Sequence, residues 1–199
     1  MPTDALAAPA NKGRKLPPEL LTREEVRALL QACSSNSASG LRNRALLVTL
    51  YRAGLRLDEA LTLRPADVDA AEGLLRVGAR VAGIDTGALV IIGQWLEARA
   101  GLMLPLSSPL FCTLNGGHLQ PAYVRQLLPR LAEKAGIRKR VHASGLRYTH
   151  AAELAAEGLP AEVISAQLGH ESLASTDRYL RRISAQERVG ALHRREWKP

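Results

Sequence analysis

The chain has 199 residues, 46% hydrophobic and only 4% aromatic, which is enough apolar material for one folded domain packed with Leu, Ala, Val and Ile, and excludes global disorder. Its formal charge of +8 favours a polyanionic partner such as nucleic acid. Cys33 and Cys112, the only cysteines, make neither a disulfide framework nor a zinc site and read as reduced, partly buried thiols; the N-terminus MPTDALAAPA is not a secretory signal and no apolar run reaches membrane-spanning length, so a cytoplasmic protein is expected.

Residues 1–19, rich in Pro and Ala and carrying Lys12, Arg14 and Lys15, read as a flexible basic arm. Thr22 followed three residues later by Glu25 has capping-box spacing, and Val26, Leu29 and Leu30 then share one helical face. A polar loop over 34–40 leads into an apolar helix over 41–53 that Gly54 ends. A short helix over 57–63 follows, with Leu57, Ala60 and Leu61 inward and Pro65 stopping it. Residues 67–69 and 73–77 change to strand period, and 88–92 read as a further strand, with hairpin loops in GARVAGIDTG between them. Helix resumes over 95–100. Residues 105–117 are loop, and 122–135 are a helix with Val124, Leu127, Leu128 and Leu131 as its core face, capped by Gly136. Three last helices span 144–156, 161–168 and 172–180, and residues 181–199 form a basic tail. The sum is a mainly α domain with a small antiparallel β-sheet, an α+β fold.

The chemistry concentrates in Ala143–Leu180, where Arg147 lies 23 residues before His170 and Tyr179 nine after it. A fixed cation, an imidazole and a phenol are the parts a tyrosine needs to attack a phosphodiester. Singly, each has a bland reading: a surface cation, a helix C-cap side chain, a core ring. Around them stand GLRLDEALTLRPADVD at Arg56, ASGLRYTHAAEL at Arg147, QLGH at His170 and STDRYL at Tyr179. In order and spacing these four segments resemble the tyrosine recombinase (phage integrase) family, over about residues 20–180, the span of that family's catalytic domain.

The resemblance implies the recombinase catalytic-domain fold and site-specific DNA recombination or integration through a 3′-phosphotyrosyl intermediate. Arg56 and Arg147 would clamp the non-bridging oxygens, whose charge grows in the transition state, with guanidinium forks that Lys matches less well. Tyr179 would be the nucleophile and His170 would donate to phosphate or move a proton. Tyr148, beside Arg147, is the local rival nucleophile; the distance from the LGH element to Tyr179 matches the family. Neither metal nor cofactor is implied. The implied partner is double-stranded DNA, bound by a homo-oligomer, a tetramer on paired sites that exchanges C-terminal segments, or by this chain with a partner recombinase. The implied location is the cytoplasm, with the nucleoid. Arg138, Lys139, Arg140, Arg181 and Arg182 are suited to backbone phosphate.

Three departures qualify the match. Ser144 stands where the family has His three residues before the second Arg, and either binds phosphate or caps the helix; His142 is a possible stand-in and Tyr148 replaces a second common His. Arg80 stands at the register position of the hairpin Lys that serves as general acid, and a guanidinium is a poor proton donor. The roughly twenty residues before Leu20 cannot form the family's clamping N-terminal domain, so a fragment or a helper is expected. Impaired or conditional cleavage is therefore expected. The alternative is a non-catalytic DNA-binding protein derived from a recombinase; a third reading is an unrelated helical nucleic-acid-binding module with Arg56 and Arg147 far apart.

Overall fold

A computed structural model describes residues 19–181; the basic arm before Glu19, and Arg182 with the tail after it, lie outside the described residues. Helix α1 (Arg23–Ala32) opens with the expected capping box: Thr22 Oγ1 accepts from Glu25 N, and Glu25 Oε2 accepts from Thr22 N. Helix α2 (Ala38–Arg52) starts three residues before the sequence suggested, because Ser37 accepts from Gly40 N and caps it. It is buried from Ala45 to Tyr51 without a break, which makes it the central helix of the domain. Helices α4 (Thr86–Gly101) and α6 (Ala143–Ala156) pack along it, as does the short α3 (Leu57–Thr62).

A 3₁₀ turn, Pro65–Asp67, leads into a three-stranded antiparallel sheet in the order β1 (Val68–Asp69), β2 (Leu74–Val77), β3 (Arg80–Gly83). The turn between β2 and β3 is two residues long, so Val77 pairs with Arg80. The third strand is thus Arg80–Gly83, inside the stretch read as hairpin loop, and the expected strand at 88–92 is helix. The run ALVII is rich in β-branched residues, yet the buried positions Ala88, Ile92, Trp95 and Arg99 recur every three or four residues. Asp85 caps this helix by accepting from Ala88 N.

Helix α5 (Pro121–Lys134) begins with Pro at its first turn and rests on α1. Helix α7 (Ala161–Leu168) ends at Gly169, which adopts a left-handed conformation, and touches α6 and β3. The last described helix, α8, covers residues 173–181. The main core runs from Leu21 to Leu146 and includes both cysteines, which are buried and form no disulfide. Ala151, Ala152, Ile164 and Leu168 form a smaller core against which Tyr148 and Tyr179 pack. The candidate residues lie where the two cores meet.

Candidate active site

Arg56, Arg147, Tyr148, His170 and Tyr179 all line one open cleft of about 520 Å³, so the folding chain brings together residues 123 apart in sequence. Arg147 lies within α6 and is 5% exposed. Its two terminal nitrogens donate to Gly54 O at 2.6 Å and Leu168 O at 2.7 Å. Arg56, the residue before α3, keeps 53% of its side chain exposed and reaches Gly169 O at 3.5 Å. Arg80 donates to Gln167 O at 3.1 Å. Three guanidiniums therefore cover three consecutive carbonyls at the C-terminus of α7, where unpaired acceptors and the negative end of the helix dipole favour cations.

Glu59 ties the three together. Its Oε1 accepts from Arg80 Nη2 at 2.8 Å and lies 3.7 Å from Arg56 Nη1, while Oε2 accepts from Arg56 N at 2.7 Å and lies 3.9 Å from Arg147 Nη1. Burial acts to raise the Glu59 carboxyl, but the hydrogen bonds from Arg80 and the Arg56 backbone, with the Arg80 and Arg147 charges, outweigh it and hold it below the usual carboxylate range. Glu59 was not singled out in the sequence, although a carboxylate three residues after Arg56 at a helix start was a visible signal.

Arg80 does not line the cleft; its guanidinium is held by Glu59 and the Gln167 carbonyl and lies over Gly169. A Cβ on Gly169 would collide with that guanidinium, and its φ of +62° is strained for any other residue. Gln167, also overlooked, exchanges hydrogen bonds with both backbone groups of Gly83 and donates to Ala53 O, fixing α7 to β3 and to the end of α2.

His170 follows Gly169, and its Nδ1 is 2.8 Å from the hydroxyl of Thr176, which is fully buried on α8. With Thr176 as donor, Nε2 carries the ring proton and is left to donate. Burial first, then the charges of Arg147, Arg56 and Arg80, lower the pKa of His170, so it is neutral near pH 7.

Tyr179 is half-buried as a residue, but its hydroxyl oxygen is fully enclosed and makes no hydrogen bond among the described residues. Burial pushes the phenol above its ordinary range; the nearby Arg147 charge opposes the shift, by approach rather than through a well-formed hydrogen bond. Its ring stacks on Tyr148 with centroids 4.0 Å and planes 6° apart, and meets His170 edge-on at 5.2 Å. Tyr148 therefore supports the Tyr179 ring.

Ser144 lines the cleft but does not cap α6; His142 does, with Nδ1 accepting from Gly145 N at 2.8 Å and lying 3.1 Å from Ser144 Oγ. His142 lines the cleft too, and burial first, then Arg140, lowers its pKa. Arg125 adds an exposed cation from α5 that the sequence reading passed over. Of the proposed phosphate contacts, Arg138 and Arg181 are exposed, whereas Lys139 donates to Leu20 O and Glu25 and Arg140 pairs with Glu19. Among the described residues no group of three or more His, Cys, Asp or Glu is disposed to hold a metal, and no helix is long and apolar enough to cross a membrane.

Comparison with known proteins follows this geometry. Residues 19–186 match the profile of the phage integrase family. Tyrosine recombinase XerC of Halalkalibacterium halodurans is 34% identical over 185 residues, covering 87% of this chain and 61% of that protein. Tyrosine recombinase XerC 2 of Ralstonia nicotianae is 35% identical over 173 residues, covering 83% of this chain and 50% of that protein. The chain thus spans less than two thirds of the length of these relatives. The crystal structure of XerA recombinase superposes with a TM-score of 0.75 at 26% identity, covering 96% of this chain and 68% of the other. XerH site-specific recombinase, bound to its difH substrate in a pre-cleavage complex, gives 0.70 at 26% identity, over 83% of this chain and 51% of the other.

Proposed function

The chain belongs to the phage integrase family, and from that premise we propose that it is the catalytic domain of a tyrosine site-specific recombinase acting on duplex DNA. The observation that carries the proposal is the convergence of Arg56, Arg147, His170 and the Tyr179 phenol on one cleft. The phenol oxygen attacks phosphorus, the 5′ oxygen leaves, and a 3′-phosphotyrosyl bond conserves the linkage for rejoining. Arg56, half-exposed, and Arg147, anchored through two carbonyls, neutralise the non-bridging oxygens as their charge grows. The neutral His170 donates from Nε2 to one of those oxygens. Because burial keeps the proton on Tyr179 in the free protein, that proton passes to solvent as the phenol oxygen bonds phosphorus, and the 5′ oxygen takes one from solvent as its own bond to phosphorus breaks.

Protonation of the leaving 5′ oxygen is the weak step of this proposal. Arg80 is a poor acid, is fastened to Glu59 and Gln167, and stands off the cleft. Cleavage is therefore slow or conditional. The same arrangement favours the second reading, a DNA-binding protein derived from a recombinase that no longer cuts. The proposed partner is duplex DNA, engaged by four protomers on two sites or together with a partner recombinase, which sets the protein in the cytoplasm with the nucleoid.

A nicked duplex whose short fragment diffuses away after cutting tests the proposal. A gel-stable protein–DNA adduct is expected, absent in Tyr179→Phe. DNA binding with no adduct in the unmodified protein overturns catalysis in favour of the second reading.

A further inference from the structure

We propose that Tyr148 is a positioning residue for the nucleophile, its ring forming the platform that holds the Tyr179 phenol in register with Arg147. This inference rests on the function proposed above and adds a residue to it. Tyr148 directly follows Arg147 on α6, so the rigid helix fixes the distance between platform and guanidinium. Tyr179 belongs to α8, whose anchors near the cleft include Thr176, bonded to His170, and the small core formed with α7. The nearly parallel rings, 4.0 Å between centroids, cover one face of Tyr179, and His170 meets the ring at a steep angle with centroids 5.2 Å apart. The two ring contacts restrict rotation of the phenol about its side-chain bonds.

The arrangement also accounts for an unsatisfied atom. An enclosed hydroxyl without a hydrogen bond among the described residues is unfavourable in a resting protein, and the stack is a contact that holds it there. Stacking contributes beyond the area buried and needs no polar partner. The hydroxyl is thereby kept near the Arg147 guanidinium, with no acceptor among the described residues, until phosphate arrives. The sequence counted Tyr148 as a rival nucleophile; the geometry points to a supporting ring instead.

Three proteins compared on the nicked duplex test this: the unmodified chain, Tyr148→Phe and Tyr148→Ala. Tyr148→Phe keeps the ring and should form adduct at the parental rate. Tyr148→Ala should be slowed about tenfold at saturating DNA, measured below its thermal midpoint, which falls because the ring also packs on the smaller core. A parental rate in Tyr148→Ala overturns the proposal. So does Tyr148→Phe slowed as much as Tyr148→Ala, because the hydroxyl rather than the ring would then matter. Should the unmodified chain form no adduct, the proposed function has failed, and the platform is judged without DNA. O-acetylation of Tyr179 by N-acetylimidazole should be slow in the unmodified chain and Tyr148→Phe and faster in Tyr148→Ala. Equal protection in all three overturns it.

Discussion

At the scale of single residues, burial makes the histidines in and beside the site harder to charge. His150, on α6 beside the site, is 3% exposed, and both ring nitrogens are enclosed without a hydrogen bond among the described residues. Burial first, then the charges of Arg52 and Arg147, push its pKa down from 6.5 to about 4. The unfolded chain takes up that proton near pH 6.5 while the folded chain refuses it until about pH 4. The contribution to stability is therefore complete above pH 6.5 and is lost as pH falls towards 4, to a total of about 3 kcal/mol. His142 and His170 are shifted the same way and steepen the loss. Urea denaturation between pH 7.5 and 4.5 should show this decline, and His150→Leu should flatten it. An equal slope in the variant would assign the decline to other groups.

A second residue-scale prediction concerns Arg80. If the leaving 5′ oxygen lacks an acid, replacing it with sulfur, which departs as a thiolate, should accelerate cleavage by about 10²-fold, the lower end of what general acid catalysis contributes. An unchanged rate would show that protonation does not limit the reaction. The register count set Arg80 on the sheet, where it begins β3, but could not supply its neighbours. That it meets Glu59 and the α7 carbonyls depends on contacts 21 and 87 residues distant, which local pattern does not carry.

At the scale of elements, caps were more legible than period. Thr22 and Gly169 announced the ends of α1 and α7 by residue type, because each acts within its own turn. The run 88–92 was misread because β-branched side chains suit a strand in isolation. The face that packs on α2 decides otherwise, and Asp85 sets where the helix starts. Asp85 also pairs with Arg52 at 2.6 Å, across a partly exposed contact. Asp85→Ala should therefore lower stability by about 1–2 kcal/mol, mostly from the lost cap. Asp85→Asn retains a capping oxygen and should recover most of it; chemical denaturation reads both. Equal losses would point to the ion pair rather than the cap.

At the scale of the whole molecule, the domain is a positioning device built around α2. Gly54 ends the segment after α2 and offers its carbonyl to Arg147; its Cβ position would lie 2.6 Å from the His150 ring, so only glycine fits there. The helical class, the small sheet and the four motif segments were legible because each follows from local pattern or spacing. The α7 carbonyl row, the Glu59 hub and the Tyr148 stack were not, because they exist only once α3, α6, α7 and α8 have met. The cleft gathers cations from α5, α6 and the start of α3 around a single enclosed phenol. This is a convergence suited to one phosphodiester, and its central claim is that Tyr179 is the atom donor in the covalent step.

Trypsin cuts after Arg147 and Arg178, which separates Tyr148 and Tyr179 into different peptides. Mass spectrometry of the adduct trapped on a nicked duplex, digested with nuclease and trypsin, therefore reads the attacking residue directly. The account predicts a residual nucleotide phosphate on the peptide that begins with Tyr179. The same mass increment on the peptide that begins with Tyr148, or on any other, would contradict it.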